Sequence, residues 1–208
     1  MKLVIIGASG LAREVFDLAH ICYAHSPQFE VKGFLSDGPS DISDLGYPPV
    51  LSTVEAYEVK EEDRFFCAIG NVDDRKKTVE IITSKGGEFI NLIHPKAIIS
   101  PSAKIGTGVA IKAYSSLASD TFIDDFTYLQ SSVILGHDVK IGKYCHLNSF
   151  SFLAGWVEVE DQVTINAGAK ILQSKKIKNH ATVGMGAIVI RNVKANTTVF
   201  GNPAKKIS

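Results

Sequence analysis

The chain has 208 residues, with 22 Lys and Arg balanced by 22 Asp and Glu, and 45% of its residues are hydrophobic. The neutral formal charge argues against a nucleic-acid backbone as the main partner. The apolar content excludes a disordered chain. No apolar run approaches the length of a membrane span.

Leu3 to Ile6 is an apolar run entering Gly7-Ala8-Ser9-Gly10. It is too short for a signal peptide and reads as a first strand entering a turn. A helical pattern follows, with Leu11, Val15, Leu18 and Ala19 on one face. Phe29 to Leu35 reads as a second strand, ending at Ser36-Asp37. The proline- and glycine-rich stretch 38–50 reads as a loop. Phe65 to Ile69 reads as another buried strand, closing at Gly70-Asn71. Residues 73–85 read as a helix and Phe89-Ile90 as a short last strand. Alternating strands and helices with apolar strands predict a small parallel α/β domain over residues 1–91.

From Ile99 onward an aliphatic residue recurs every six positions, through Ile105, Ile111 and Leu117 to Val189. Sixteen of sixteen positions comply. At about one chance in three per position, the accident has odds of about one in forty million. A second column, four residues later, runs from Ala103 to Val193 and is small or β-branched except at Lys175. A six-residue period fits neither a helix nor a flat sandwich. It predicts a three-sided parallel β-solenoid over residues 92–208, eighteen residues per coil. Sixteen sides make five and a third coils, roughly 25 Å of prism at the usual strand spacing. Glycines, Gly106 and Gly108 among them, are expected to supply the bends. Lys175 and Lys176 suggest a bulged coil.

Four groups of residues invite a chemical reading. The Gly7-Ala8-Ser9-Gly10 turn before a helix suits a phosphate. It lacks the full G-x-G-x-x-G pattern of a dinucleotide site, because Ser9 and Ala12 stand where glycines belong. A tight turn needing small residues is the plain alternative, and an NAD-dependent oxidoreductase is disfavoured. Asp37 ends the second strand, where a ribose-binding acid could sit. His137 and His146 lie on the prism at non-core positions, half a coil apart, so they converge only across a subunit boundary or around a ligand. Solvation is the default for a surface histidine, but Asp138 follows His137, and a neighbouring carboxylate raises an imidazole's basicity and fixes its orientation. The same pair argues against a non-catalytic scaffold. His20, His25 and His180 read as solvated, and His94 as a loop or capping residue. Cys22, Cys67 and Cys145 form no CxxC pair and no zinc cluster. They read as reduced thiols of a cytoplasmic protein, with Cys145 packed in the core. Glu158, Glu160 and Asp161 read as solvated surface.

Taken together, the motifs resemble the bacterial sugar O- and N-acetyltransferases of the sialic-acid O-acetyltransferase and UDP-4-amino-sugar N-acetyltransferase type. These belong to the hexapeptide-repeat acyltransferase superfamily. The resemblance rests on Gly7-Ala8-Ser9-Gly10, on Ala68-Ile69-Gly70-Asn71 with Arg75, and on Leu92-Ile93-His94-Pro95 leading to Ile98-Ile99-Ser100. It also rests on His137-Asp138 with His146, and on Gly201-Asn202-Pro203-Ala204-Lys205-Lys206.

It implies a Rossmann-like α/β domain that binds the sugar nucleotide, followed by a left-handed parallel β-helix; the handedness comes only from the resemblance. It implies acetyl-CoA as co-substrate, no metal, a cytoplasmic homotrimer, and active sites between two prisms. His137 would be the general base, with Asp138 raising its basicity. His146, Ala167 and Met185 would contact acetyl-CoA. Ser9, Gly10, Leu11, Ser36, Asp37, Gly70 and Asp73 would line the sugar-nucleotide pocket. The expected reaction is acetyl transfer to the amino group of a nucleotide-linked 4-amino sugar, with a sialic-acid hydroxyl as the alternative acceptor. The chain departs from many members at Leu11-Ala12, which replaces a second histidine of the first turn, and at Ile171 to Lys176, where the usual small residues are missing.

Overall fold

A computed structural model describes residues 1–38 and 42–208. The chain divides into two compact units, Met1–Leu92 and Ile93–Ser208.

In the first unit, β1 (Lys2–Ile6), α1 (Gly10–Cys22), β2 (Glu30–Leu35), β3 (Val50–Ser52), β4 (Asp63–Cys67) and α2 (Val72–Ser84) follow in order. The four strands form one parallel sheet in the order β3-β2-β1-β4. Leu3 to Ile6, Phe34, Leu35, Phe65 and Phe66 are fully buried, as strands covered on both faces require. α1 buries Ala12, Val15, Leu18 and Ala19. The stretch expected as a loop holds a short 3-10 turn at Ser43–Leu45, and β3 begins at its last residue, Val50. Pro39, Ser40 and Asp41 of that stretch lie outside the described residues. Phe89 makes one parallel bridge to Phe65 rather than a strand.

The second unit is a three-walled parallel solenoid. One wall stacks Lys104–Ile105, Phe122–Ile123, Lys140–Ile141, Glu158–Val159 and Lys176–Ile177. The second runs from Leu92–Ile93 through Tyr128–Leu129 and His146–Leu147 to Thr198–Phe200 and ends in the antiparallel strand Lys205–Lys206. The third runs from Ile98–Ile99 through Ile134–Leu135 and Phe152–Leu153 to Ile188–Val189. The six-step aliphatic residues point inward and are buried from Ile111 onward. Two further sides therefore flank the sixteen read from the period. Leu92–Ile93 sits one step before it, and Thr198–Phe200 follows a longer step that breaks it.

The corners differ from the expectation. Left-handed backbone recurs every six residues from 108 to 186, at eleven non-glycine residues and only Gly108, Gly168 and Gly186. A non-glycine residue there costs roughly 1–2 kcal/mol. Stacking offsets it, because corner amides donate to the preceding coil: Asp138 N to Ser119 O at 3.0 Å and Trp156 N to His137 O at 3.0 Å. Most other prism glycines instead serve close packing; a Cβ on Gly136 would stand 2.7 Å from the backbone nitrogen of Gly155. The expected bulge at Lys175-Lys176 is absent. Lys176 keeps its register opposite Glu158 and pairs with it at 2.7 Å.

Candidate functional site

His137 and Asp138 occupy the corner between the third and first walls. The Asp138 φ of 58° turns the chain. His137 Nδ1 and Asp138 Oδ2 lie 2.8 Å apart. A neutral imidazole whose Nδ1–H donates to this carboxylate has its Nε2 lone pair left to accept a proton. One coil on, Gly155 is buried, and a Cβ there would stand 2.7 Å from both Cε1 and Nε2 of His137. Trp156 meets the imidazole edge-on, with centroids 4.4 Å apart at 90°. The ring is thus held by Asp138, by Trp156 and by the space that Gly155 leaves, while half of its surface stays exposed. Such a group can accept a proton from a ligand arriving along the corner.

His146 stands on the second wall, on another flank from His137. Its Nε2 is 3.3 Å from Gln130 Nε2, and its ring packs edge-on against buried Tyr128. Ala167 and exposed Met185 stack at the corner between the second and third walls, where Gly186 N donates to Ala167 O at 2.9 Å. Within one chain these three residues do not share a wall or corner with His137. Cys145 is buried in the small column, with Sγ 3.1 Å from Glu160 O.

In the first unit, a cleft of about 450 Å³ opens at the ends of β1, β2 and β4. Ser9, Ser36, Asp37 and Gly70 line it, as the sequence suggested. Gly10 and Leu11 begin α1 and Asp73 lies in the first turn of α2, outside the lining. Glu55, Asp74, Lys77 and Thr78 line it without having been anticipated. A signal existed: Asp74, Lys77, Thr78 and Ile81 fall at helical i, i+3, i+4 and i+7 spacing on α2.

The cleft is built for an anion at one end. Ser9, the α1 cap, makes no side-chain cap bond, and no acid occupies the first turn. Its helix end keeps amides available for a phosphate. α2 is capped by its own Asn71, whose Oδ1 accepts from Asp73 N at 2.9 Å and Asp74 N at 3.0 Å. Gly7 has φ +104°, and a Cβ there would stand 2.8 Å from Ala68 O, so this turn requires glycine. Arg75 is fully buried and braces the opposite rim through Ile69 O at 3.1 Å. Asp37 Oδ1 accepts from Val54 N at 2.8 Å, which ties β2 to the segment after β3. Burial pushes the Cys67 thiol up to about 12, with the Arg75 charge opposing, so this sulfur is no nucleophile. Among the described residues no cluster of His, Cys, Asp or Glu could hold a metal ion, and no helix is long and apolar enough to cross a membrane.

Residues 2–82 match the family described as PglD N-terminal domain, and residues 88–200 match the GMPPB C-terminal domain. A GDP-perosamine N-acetyltransferase of Escherichia coli O157:H7 is 32% identical over 150 residues, covering 69% of this chain and 67% of that protein. An acyl-[acyl-carrier-protein]–UDP-N-acetylglucosamine O-acyltransferase of Pseudomonas paraeruginosa is 36% identical over 87 residues, and the match spans only 34% of its length. The crystal structure of PerB from Caulobacter crescentus, in complex with CoA and GDP-perosamine, superposes with a TM-score of 0.89 at 29% identity. It covers 100% of this chain and 98% of that one.

Proposed function

The chain belongs to the hexapeptide-repeat sugar acetyltransferases, and on that premise we propose that it moves the acetyl group of acetyl-CoA directly to the 4-amino group of a nucleotide-linked sugar. His137 is the general base. The neutral amine attacks the thioester carbonyl, a C–N bond forms, and the C–S bond breaks. The proton released from nitrogen passes to His137 Nε2, and the CoA thiolate leaves and takes up a proton in turn. Asp138 holds the imidazole in the tautomer that leaves Nε2 free. The observation that carries this reading is the 2.8 Å His137–Asp138 pair facing the opening over Gly155. A correctly placed base of this kind contributes on the order of a hundred- to ten-thousandfold.

The first unit holds the nucleotide, with the diphosphate on the α1 amides and Lys77 as the cation of the cleft. The 450 Å³ volume suits a nucleotide rather than a monosaccharide alone. His146, Ala167 and Met185 line the donor groove. They lie on other flanks from His137, so the active site joins two prisms, and the protein is a homotrimer. The third wall supports this. Ile98, Ile134 and Phe152 point outward along it and are exposed, the composition of a face awaiting a partner. The first wall presents Lys104, Phe122, Lys140 and the Lys176–Glu158 pair, mostly charged groups that suit solvent. Cysteines outside any disulfide and a CoA donor accord with a cytoplasmic enzyme.

CoA release, followed with a thiol reagent, tests the reading. GDP- and UDP-linked 4-amino sugars are compared with their N-acetylated forms and with free sialic acid. Release with an amino sugar alone is expected. Release only with the hydroxyl acceptor transfers the assignment to O-acetylation.

A further inference from the structure

The corner that carries His137 also carries an aromatic side chain that the solenoid itself does not require. Left-handed backbone recurs along this corner at Asp120, Asp138, Trp156 and Ser174, with φ of 59°, 58°, 56° and 59°. Short polar residues tolerate that region, and a bulky one there is unusual. The Trp156 amide donates to His137 O at 3.0 Å, but Asp138 and Ser174 make the same bond to their preceding coils with small side chains. Closing the corner therefore needs no indole. Nor does Trp156 fill the core: it stands outside the buried cluster and is 50% exposed. It is the chain's only tryptophan. Its ring meets the imidazole edge-on, with centroids 4.4 Å apart. That contact uses one part of the indole and leaves the rest as a free apolar surface beside the base.

Distances at the base say what can reach that surface. Proton transfer needs the acceptor nitrogen within about 3 Å of His137 Nε2. A carbon–nitrogen bond and the radius of a six-membered ring add about 1.5 Å each. The centre of a pyranose bearing the amine therefore lies within about 6 Å of Nε2. With the indole 4.4 Å from the imidazole, the two rings fall in the range where aromatic faces stack, about 4.5–7 Å between centres. The side is set by the chemistry. The thioester carbonyl and the sugar carbon must approach the attacking nitrogen from different directions. The donor groove comes with the prism seated on the third wall, where Gly136 and Ala154 leave the corner low. Trp156 stands on the other side, leading into the first-wall strand Glu158–Val159. We infer, resting on the reading that the acceptor is a nucleotide-linked amino sugar, that Trp156 binds the acceptor: the free part of its indole stacks on the C–H face of the pyranose and aims the amine at His137. The ring face is electron-rich and meets the polarised C–H groups, while the sugar hydroxyls stay at the rim in water.

Two measurements test this, one of them independent of turnover. A single tryptophan makes the intrinsic emission a reporter of this position. Titrated into the full chain without donor, the GDP- or UDP-linked 4-amino sugar that the enzyme turns over is expected to change Trp156 emission. The matching GDP or UDP, which places no pyranose beside the base, is expected to bind without a comparable change. In steady state, Trp156→Leu is expected to raise the acceptor KM at least tenfold, more than it lowers kcat, with the acetyl-CoA KM within twofold of the wild type. Trp156→Phe keeps an aromatic face and is expected to recover most of the acceptor KM. Trp156→Met replaces the leucine variant if the latter fails to fold. A leucine variant that loses kcat with its acceptor KM within twofold of the wild type shows an indole that only props the imidazole, and overturns the inference. An emission change of equal size from the nucleotide alone, or none from the sugar nucleotide, overturns it too. A protein that acetylates only a sugar hydroxyl contradicts the amine reading, and the same titration and variants with that acceptor then decide the Trp156 assignment separately.

Discussion

A methyl group on Gly155 would meet His137 Cε1 and Nε2 at 2.7 Å each. Carbon contacts become favourable only near 3.5 Å, so the imidazole must retreat by about 0.8 Å. It can do so cheaply. Half of its surface is exposed, and the Gly155 backbone lies outside the left-handed region. The retreat bends the 2.8 Å contact to Asp138 and moves the accepting lone pair off its line. A displacement of this size at a reacting group costs up to about a hundredfold in rate. Gly155→Ala is therefore expected to lower kcat ten- to a hundredfold at saturating donor, with a melting temperature close to that of the wild type. Gly136→Ala is the contrasting case. Its Cβ would meet the backbone at Gly155 N and Ala154 C, at 2.7 and 3.0 Å, and backbone cannot swing aside. Overpacking of that kind costs about 1–3 kcal/mol, so this variant should lose stability. The assays are steady-state CoA release and a thermal melt on the same preparations. A Gly155→Ala enzyme with kcat within twofold of the wild type would refute the argument that this opening positions the base.

Lys77→Ala is expected to raise the KM for the nucleotide sugar about tenfold with little change in kcat, because the cation lines the binding cleft and not the transfer site; an unchanged KM removes Lys77 from the diphosphate. In the first unit, buried Asp63 accepts from Lys32 Nζ at 2.7 Å and Tyr57 OH at 2.7 Å. Burial raises the Asp63 pKa, but the bonds from Lys32, Tyr57 and the Lys60 amide outweigh it and hold the carboxyl below its usual range. A depressed folded-state pKa gives stability that is present above the unfolded value, near pH 4, and is lost as pH falls through the folded value. Asp63→Asn is expected to cost about 1–3 kcal/mol at pH 7 by denaturant titration. The gap to the wild type should close below about pH 4, and a gap independent of pH would contradict the charge-based account.

The prism was readable because its period is strict and its register never slips between Ile99 and Val189; each side carries the same inward residue, so counting suffices. What escaped the count lay at its two ends. Leu92–Ile93 stands one regular step ahead of the series that was counted from Ile99, and Thr198–Phe200 was hidden by the short last coil. The corners misled for a different reason. Glycine is the residue expected at positive φ, but stacking between coils lets Tyr114, Asp138 and Trp156 take that conformation. In the first unit, the three-residue β3 begins at Val50, where the proline-rich stretch read as a loop ends, and it is too short to show a pattern of its own. The adjacency of His137 and Asp138 gave their pairing at once, whereas Gly155 and Trp156 reach the imidazole from the next coil. Lys77 and Thr78 were legible in principle from helical spacing.

The central claim is that an imidazole on the prism corner takes the proton during direct acetyl transfer. His137→Ala, assayed for CoA release with a nucleotide-linked 4-amino sugar and for acetyl-CoA affinity by calorimetry, tests it most directly. The account predicts a kcat at least about a hundredfold lower, with the donor Kd within a few-fold of the wild type. A variant that turned over at the wild-type rate would contradict it.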